Sequence, residues 1–221
     1  MTLPQAAAQR QLKHRRQIDV QVYSRGDGLW EVDAVLTDVK TRDTPLADGI
    51  RPAGAPIHDM LLRLVVNCNF EILAAGSESR AMPYPGHCDD HGDAYTRLVG
   101  LNLLQGFRAA MRERVGGLLG CTHLTELAQM LPTAVVQAFA GEVIDTRGNS
   151  PGASKPFQID RCHALRSSGV TVGRYYPRWV RPQPMAGVTQ PDTDSSSHRA
   201  IDSATGPATD KANQSASEEP R

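Results

Sequence analysis

A cysteine and a histidine lie two residues apart where Gly120 is followed by Cys121, Thr122 and His123. A helical pattern begins at this point, so free backbone N–H groups and the positive end of the helix dipole favour a Cys121 thiolate. Thiolate and imidazole are ligands of zinc and iron, and a thiolate beside a histidine is also an activated nucleophile. Cys121 and His123 are therefore the centre of the candidate site.

Other side chains of the same chemical kind lie far away along the chain. His58 and Asp59 open an apolar segment, and Cys88 lies in an irregular loop between His87 and His91. Because these groups are tens of residues apart, only the fold could assemble them into one site. The predicted metal ligands are Asp59, Cys88, Cys121 and His123. The predicted catalytic residues are Cys121, His123 and His58.

The remaining cysteines and histidines give weaker signals. Cys68 lies between two asparagines in a tight turn, where we expect it to be exposed and without function. His14 falls in a basic N-terminal segment that is predicted to be a solvated arm, and it is not counted. Cys162 and His163 form a further pair to which the sequence assigns no role. The chain also has no phosphate-binding loop, nucleophile elbow or dinucleotide fingerprint.

The bulk composition restricts the class of protein. Lysine plus arginine and aspartate plus glutamate each number 24, so the formal net charge is zero. Nucleic-acid binding and adsorption to a membrane surface need a basic excess, and we expect neither partner. No secretory signal or membrane-spanning apolar run is visible, so we expect a cytoplasmic protein with reduced thiols. A small-molecule substrate is the remaining expected partner.

Alternating apolar and polar side chains in the first part of the chain predict two β-hairpins. The predicted strands are 18–23, 29–39, 58–66 and 70–76. Arg25-Gly26-Asp27-Gly28 is a turn signal within the first pair. The segment 40–56, rich in proline and glycine, predicts a loop between the hairpins.

The apolar period changes to 3.6 in the second part of the chain. A short helix over 95–100, a helix over about 102–115 and a longer helix with Thr122 as its N-cap are predicted. Pro132 lacks an N–H group and is expected to kink or restart the longer helix. Residues 157–180 predict two short extended pieces.

These elements predict an α+β fold, in which an antiparallel sheet of two hairpins packs against two or three helices. Residues 17–180 would form this single domain. Residues 1–16 would form a disordered basic arm, and residues 181–221, which contain almost no large apolar side chain, a disordered tail.

Five short stretches of the sequence are distinctive in combination. They are Asp-Gly-Leu-Trp at 27–30, Leu-Thr-Asp at 36–38, Ile-His-Asp-Met at 57–60, Gly-Cys-Thr-His-Leu-Thr-Glu-Leu at 120–127 and Tyr-Pro-Arg-Trp at 176–179. Together they resemble a bacterial family of uncharacterised proteins that is defined as a domain of unknown function. The resemblance covers about residues 17–180 and implies no activity.

The order of strands, cysteine loop and helices is also similar to that of iron–sulfur cluster scaffolds of the NifU N-terminal type. This resemblance implies an iron–sulfur-scaffold-like fold, and it matches Asp59, Cys88 and Cys121 to the scaffold's aspartate and two of its cysteines. The scaffold's first cysteine is absent, because His58 directly precedes Asp59, and His123 follows Cys121 instead of preceding it. The histidine-richer set favours a single metal ion over a [2Fe–2S] cluster.

Three functions follow from these observations. The first is a protein with zinc or iron as its cofactor, acting as a metal-dependent hydrolase or lyase on a small molecule. The second is a metal-free thiol protein that uses Cys121 as nucleophile or sulfur carrier, with His123 or His58 as the base. The third is a non-catalytic binding or accessory module, in which the cluster of polar residues contributes only to stability.

Overall fold

The architecture is α+β, as predicted, and its centre is a four-stranded antiparallel sheet. The computed structural model describes residues 2–91, 93–149 and 152–181. Of the predicted disordered tail, residues 182–221 lie outside the described residues. The strands are β1 (His14–Ser24), β2 (Trp30–Lys40), β3 (Thr44–Leu46), β4 (Gly49–Arg51), β5 (Pro56–Val66) and β6 (Ile72–Ala81). The large sheet has the order β1-β2-β5-β6.

Period-two alternation determines which face of the sheet is buried. The even-numbered residues from Trp30 to Leu36 of β2 and from Met60 to Val66 of β5 are buried and apolar, and the register places Leu36 opposite Met60. One step further towards the end of the sheet, Asp38 lies opposite His58. Because successive side chains of a strand point to opposite faces, Asp38 and His58 continue the buried face with polar groups.

The first strand begins earlier than the pattern predicts. His14 is already part of β1, where the backbone pairs with Lys40 at the end of β2. The alternation of apolar residues starts only at Ile18, so the sequence signal begins four residues after the strand pairing does. The predicted basic arm therefore contributes its last three residues to the sheet.

The predicted loop 40–56 contains a small second sheet. The three-residue strands β3 and β4 pair in an antiparallel hairpin, with Pro45 opposite Ile50. The prediction of an irregular loop is wrong here, because strands of three residues are too short for alternation to reveal them.

Three α-helices follow: α1 (Phe107–Val115), α2 (Thr122–Phe139) and α3 (Val170–Tyr175). Helix α1 begins later than predicted, because the backbone of Leu101 and Leu103 bonds instead to the chain at Ile72 and Phe70. Cys121, not Thr122, occupies the N-cap position of α2. Helix α2 does not restart at Pro132 but continues through it. The short helix predicted over 95–100 is a 3-10 helix, Ala94–Leu98.

The last described segment corrects another prediction. In place of two extended pieces, it contains two 3-10 turns, His163–Leu165 and Pro177–Trp179, on either side of α3. β-Branched and aromatic residues gave the segment a strand-like composition, but the structure places no partner strand beside it among the described residues.

Helix α2 covers the buried face of the sheet with one apolar stripe at helical spacing. Its buried residues are Leu124, Leu127, Ala128, Leu131, Val135 and Phe139. Phe139 contacts Trp30 and Phe70 with ring centroids 4.8 Å away in each case, so the far end of α2 lies over the β2 start. The amino end of α2 consequently lies near Asp38 and His58. In the described part of the chain, no helix has the length and apolar character that a bilayer crossing requires.

Candidate functional site

The site lies where the apolar face of the sheet ends and helix α2 begins. Asp38, at 3% exposure, is one of only two buried polar residues in the described part of the chain. One ligand atom from each of Asp38, His58 and His123 lies within 4.8 Å of the others. Two strands and one helix therefore bring a carboxylate and two imidazoles together.

The Asp38 carboxylate accepts four hydrogen bonds from three residues. Arg16 donates to both oxygens, from Nε to Oδ1 at 2.9 Å and from Nη2 to Oδ2 at 2.8 Å. His14 Nε2 lies 2.8 Å from Oδ1, and His58 Nδ1 lies 3.0 Å from Oδ2. A carboxylate has about four lone-pair positions, so this set satisfies all of them. Arg16 also bonds to Glu126 of α2 at 2.7 Å, which ties β1 to the helix.

This arrangement keeps Asp38 ionised. Burial alone would raise the pKa of the carboxyl group, but the hydrogen bonds and charge of Arg16, with the hydrogen bonds from His58 and His14, lower it to about 2. An ionised carboxylate can only accept hydrogen bonds. His14 and His58 must therefore donate to it from the nitrogens that face it.

His58 presents a free nitrogen as a consequence. Burial lowers the pKa of its imidazole by more than Asp38 raises it, so the ring is neutral at neutral pH. Since Nδ1 carries the hydrogen that is donated to Asp38, Nε2 carries the lone pair. That nitrogen can bind a metal ion or accept a proton.

His123 connects Asp38 to Cys121. Its Nε2 lies 3.9 Å from Asp38 Oδ2, and its Nδ1 lies 3.8 Å from Cys121 Sγ. The His123 ring also stacks on the His58 ring, with centroids 3.9 Å apart. Carboxylate, imidazole and thiol thus follow one another in a row at the amino end of α2.

The half-buried Cys121 thiol has a lowered pKa and ionises more readily than an ordinary cysteine. Burial raises its pKa, but the His123 side chain and the backbone N–H groups of Leu124 and His123 outweigh burial and lower the pKa below the ordinary value of 9.0. Met60 Sδ lies 3.7 Å from Cys121 Sγ, so a second sulfur borders the group.

A buried tyrosine fixes the backbone of Cys121. The Tyr95 hydroxyl lies 2.7 Å from the Cys121 carbonyl oxygen, to which it donates, and accepts the Cys121 N–H at 3.0 Å. Burial raises the pKa of Tyr95 to about 12, so the hydroxyl keeps its proton. The hydroxyl of Thr125 lies 2.9 Å away and completes the contact.

The row of groups borders an open cleft of about 680 Å³. His58, Cys121 and His123 lie on one wall, and the loop that holds Cys88 forms the other. That second wall adds further ligand-type side chains. They are His87, Cys88, Asp90 and His91.

Most of the residues predicted from sequence line one cleft, but Asp59 does not, and among the described residues the group of ligand atoms within 4.8 Å contains neither Cys88 nor Cys121. His58, Cys88, Cys121 and His123 all line the cleft. Asp59 follows His58 along β5 and therefore points to the opposite face of the sheet, where its carboxylate lies 3.9 Å from Arg80. Asp38 occupies the position that the sequence analysis had given to Asp59.

The other cysteines and histidines considered lie outside the cleft. Cys68 and Cys162 are exposed, as is His163. None of the three belongs to the group of possible metal ligands among the described residues.

Sequence reasoning missed Asp38, Arg16, His14 and Tyr95. One signal could have identified Asp38: the apolar series Trp30, Val32, Ala34, Leu36 has period two, and Asp38 is its next member. An acidic residue on the buried face of a strand needs partners, and the basic residues of β1 are within reach.

Comparison with known proteins gives one match. A protein-family model described as "Protein of unknown function (DUF2889)" matches residues 14–137, which include every residue of the Asp38 network and both cleft walls. No curated protein and no solved structure matches the chain. The resemblance to iron–sulfur scaffolds therefore stays a prediction.

Replacing Asp38 tests the buried ionic network. Asp38→Asn should lower the free energy of unfolding by about 3 kcal/mol at pH 7, because Arg16 loses its buried partner. The folded-state pKa of Asp38 is lowered, so its contribution is present above its ordinary value of 3.8 and is lost as the pH falls through about 2. The difference between the two proteins in urea unfolding should therefore shrink between about pH 4 and pH 2.

Asp33→Asn is the matched control, because Asp33 also forms a two-bond pair with an arginine, Arg63, whose side chain is 54% exposed. It should cost less than about 1 kcal/mol. Equal losses for the two variants would contradict the analysis of Asp38.

Tyr95→Phe tests how Cys121 is held. Removing the hydroxyl leaves the backbone N–H of Cys121 without its partner, while the carbonyl keeps its bond from the Thr125 N–H; the loss should lower the free energy of unfolding by about 1–3 kcal/mol. Tyr175→Phe, at a position 62% exposed, should change it by less than about 0.5 kcal/mol. Denaturant unfolding measures both variants. Equal changes in the free energy of unfolding would contradict the role given to the Tyr95 hydroxyl.

Proposed function

The chain belongs to the DUF2889 family, whose description names no activity, and we propose from the geometry of its cleft that it binds a single zinc or iron ion and acts as a metal-dependent hydrolase or lyase on a small molecule. One observation carries the proposal. The imidazoles of His58 and His123 line an open cleft with the Asp38 carboxylate directly behind them, and the Cys121 thiol, whose pKa is lowered, lies 3.8 Å from His123.

The enrichment of soft donors supports the proposal. The chain has 7 histidines, and four of them line this cleft while His14 bonds to Asp38 behind it. Two of the four cysteines line it as well. A cleft of average composition would not collect these residue types, which are the preferred ligands of zinc and iron.

The donors divide into two groups. Asp38 has all its lone pairs engaged by Arg16, His14 and His58, so it is suited to orient His58 and not to bind the ion itself. A carboxylate behind a metal-binding histidine is the common arrangement, since it fixes the free nitrogen on the metal side. The proposed ligands are His58, His123 and Cys121, with Cys88 on the opposite wall as a fourth.

The proposed chemistry follows from the open side of the cleft. A divalent ion with a free coordination position supplies Lewis acidity to a substrate or to water. His58 is neutral at neutral pH, and Cys121 loses its proton more readily than an ordinary thiol, so both groups are suited to bind such an ion.

The similarity to iron–sulfur scaffolds bears on which metal centre the cleft would hold. Cys88 and Cys121, which the resemblance would match to two of the scaffold cysteines, both line the cleft. A [2Fe–2S] cluster is usually held by four cysteines, whereas histidine dominates here, which favours one mononuclear ion.

Metal titration tests the proposal. Protein dialysed against a chelator should bind about one equivalent of Zn²⁺ or Co²⁺, and Co²⁺ should show thiolate-to-metal absorption that disappears in Cys121→Ser. His58→Ala and His123→Ala should abolish stoichiometric binding. Asp38→Asn should weaken it about 10–100-fold, as for other residues that orient a ligand.

Asp59→Asn and Cys68→Ser are the matched controls, because both residues lie outside the cleft, and they should bind metal like the unaltered chain. The proposal fails if the unaltered protein binds no stoichiometric metal. A loss of affinity in Asp59→Asn equal to that in His123→Ala would instead contradict the ligand set.

A second function is favoured by a specific observation. Arg16 compensates the charge of Asp38, so the site holds little negative charge apart from Cys121, and the thiol has His123 at 3.8 Å. This arrangement also suits a metal-free thiol protein, in which Cys121 is the nucleophile or sulfur carrier and His123 the base.

Alkylation measured peptide by peptide tests the thiol function. In metal-free protein, Cys121 should react with iodoacetamide at a lower apparent pKa than exposed Cys68, because its pKa is lowered, and His123→Ala should raise the apparent pKa of Cys121. Identical pH profiles for the two cysteines would contradict a nucleophilic role.

A further inference from the structure

The described lining of the cleft carries no guanidinium or ammonium group. Among the described residues that line it there is no lysine or arginine, and Asp90 is an acidic member of the lining. Arg16, the nearest guanidinium to the site, is bound on Asp38 and Glu126. Phosphate and carboxylate groups are usually bound by arginine or lysine, so this cleft does not favour them.

The mouth of the cleft carries exposed apolar side chains on both walls. Leu118 projects fully into solvent from the 3-10 turn Gly117–Leu119, two residues before Gly120. Tyr84, on the opposite wall, is 54% exposed beside Pro83. Met60 continues this apolar lining to the Cys121 sulfur, 3.7 Å away.

An exposed leucine alone is ordinary, but this one lines the same cleft as the donor cluster. The volume, about 680 Å³, is in the usual range for sites that bind small molecules. Apolar walls with a few convergent polar groups are typical of such sites.

Resting on the proposed function of the cleft, we propose that its substrate is an uncharged small molecule with an aromatic or aliphatic body. The body lies between Leu118 and Tyr84, and one polar group of the molecule reaches His58, His123 and Cys121.

Cys121 itself can report on this selectivity without any metal. Chelator-treated protein is alkylated with three maleimides that share one electrophile and differ in their substituent: N-methyl, N-phenyl and the anionic N-carboxymethyl. Mass spectrometry of peptides gives the rate at Cys121 divided by the rate at exposed Cys68 in the same chain, which cancels the intrinsic reactivity of each reagent.

The ratio should be about fivefold higher for N-phenylmaleimide than for N-methylmaleimide, because the ring buries apolar surface against the walls. It should be lowest for the anionic reagent. Leu118→Ser and Tyr84→Ser should bring the N-phenyl ratio down to the N-methyl ratio. Leu104→Ser, at a leucine 52% exposed and outside the cleft, should change neither.

Several outcomes overturn the inference: equal ratios for the three reagents, a preference for the anionic one, no reaction at Cys121, or the same loss in Leu104→Ser. The result is independent of the metal titration. If the protein binds zinc but shows no preference for the aromatic reagent, the proposed function stands and this inference is wrong. If it shows the preference but binds no zinc, the selectivity of the cleft stands and the metal-dependent function is wrong.

Discussion

The burial of one carboxylate organises the end of this molecule. Asp38 continues the buried face of β2, where a charged group without partners would be strongly unfavourable. Its compensation comes from two other strands: Arg16 and His14 from β1, and His58 from β5. Through Arg16 and Glu126 the network also reaches α2. The strands are thus held in one register, and the amino end of the helix is held over it.

The same network determines the electrostatic character of the site. The ionised Asp38 carboxylate, with both oxygens occupied, fixes the ring of His58, and burial keeps that ring neutral. The amino end of α2 and His123 favour negative charge on Cys121. A neutral imidazole close to a thiol of lowered pKa suits metal coordination and nucleophilic attack alike, and the open cleft makes both accessible.

The long apolar patterns of the sequence were sufficient to predict the main helices and strands. The stripe of α2 and the alternation in β2 and β5 predict their type and their buried faces, because the burial of many side chains favours one conformation. Shorter elements were missed or misassigned. Strands β3 and β4 have three residues each, and the turns around α3 lack a repeating pattern, so pairing and packing with distant residues decide their conformation.

For the site, the sequence by itself determined the chemistry available: a thiol at a helix start, histidines nearby and in two remote segments, and an α+β chain to carry them. Only the tertiary structure decided which carboxylate lies beside the histidines of the site. Asp59 and Asp38 are both acidic residues near the end of a strand, but the pleat turns Asp59 away and Asp38 inward. The register between β1, β2 and β5 depends on contacts between residues far apart in the chain, and a linear pattern carries no information on such contacts.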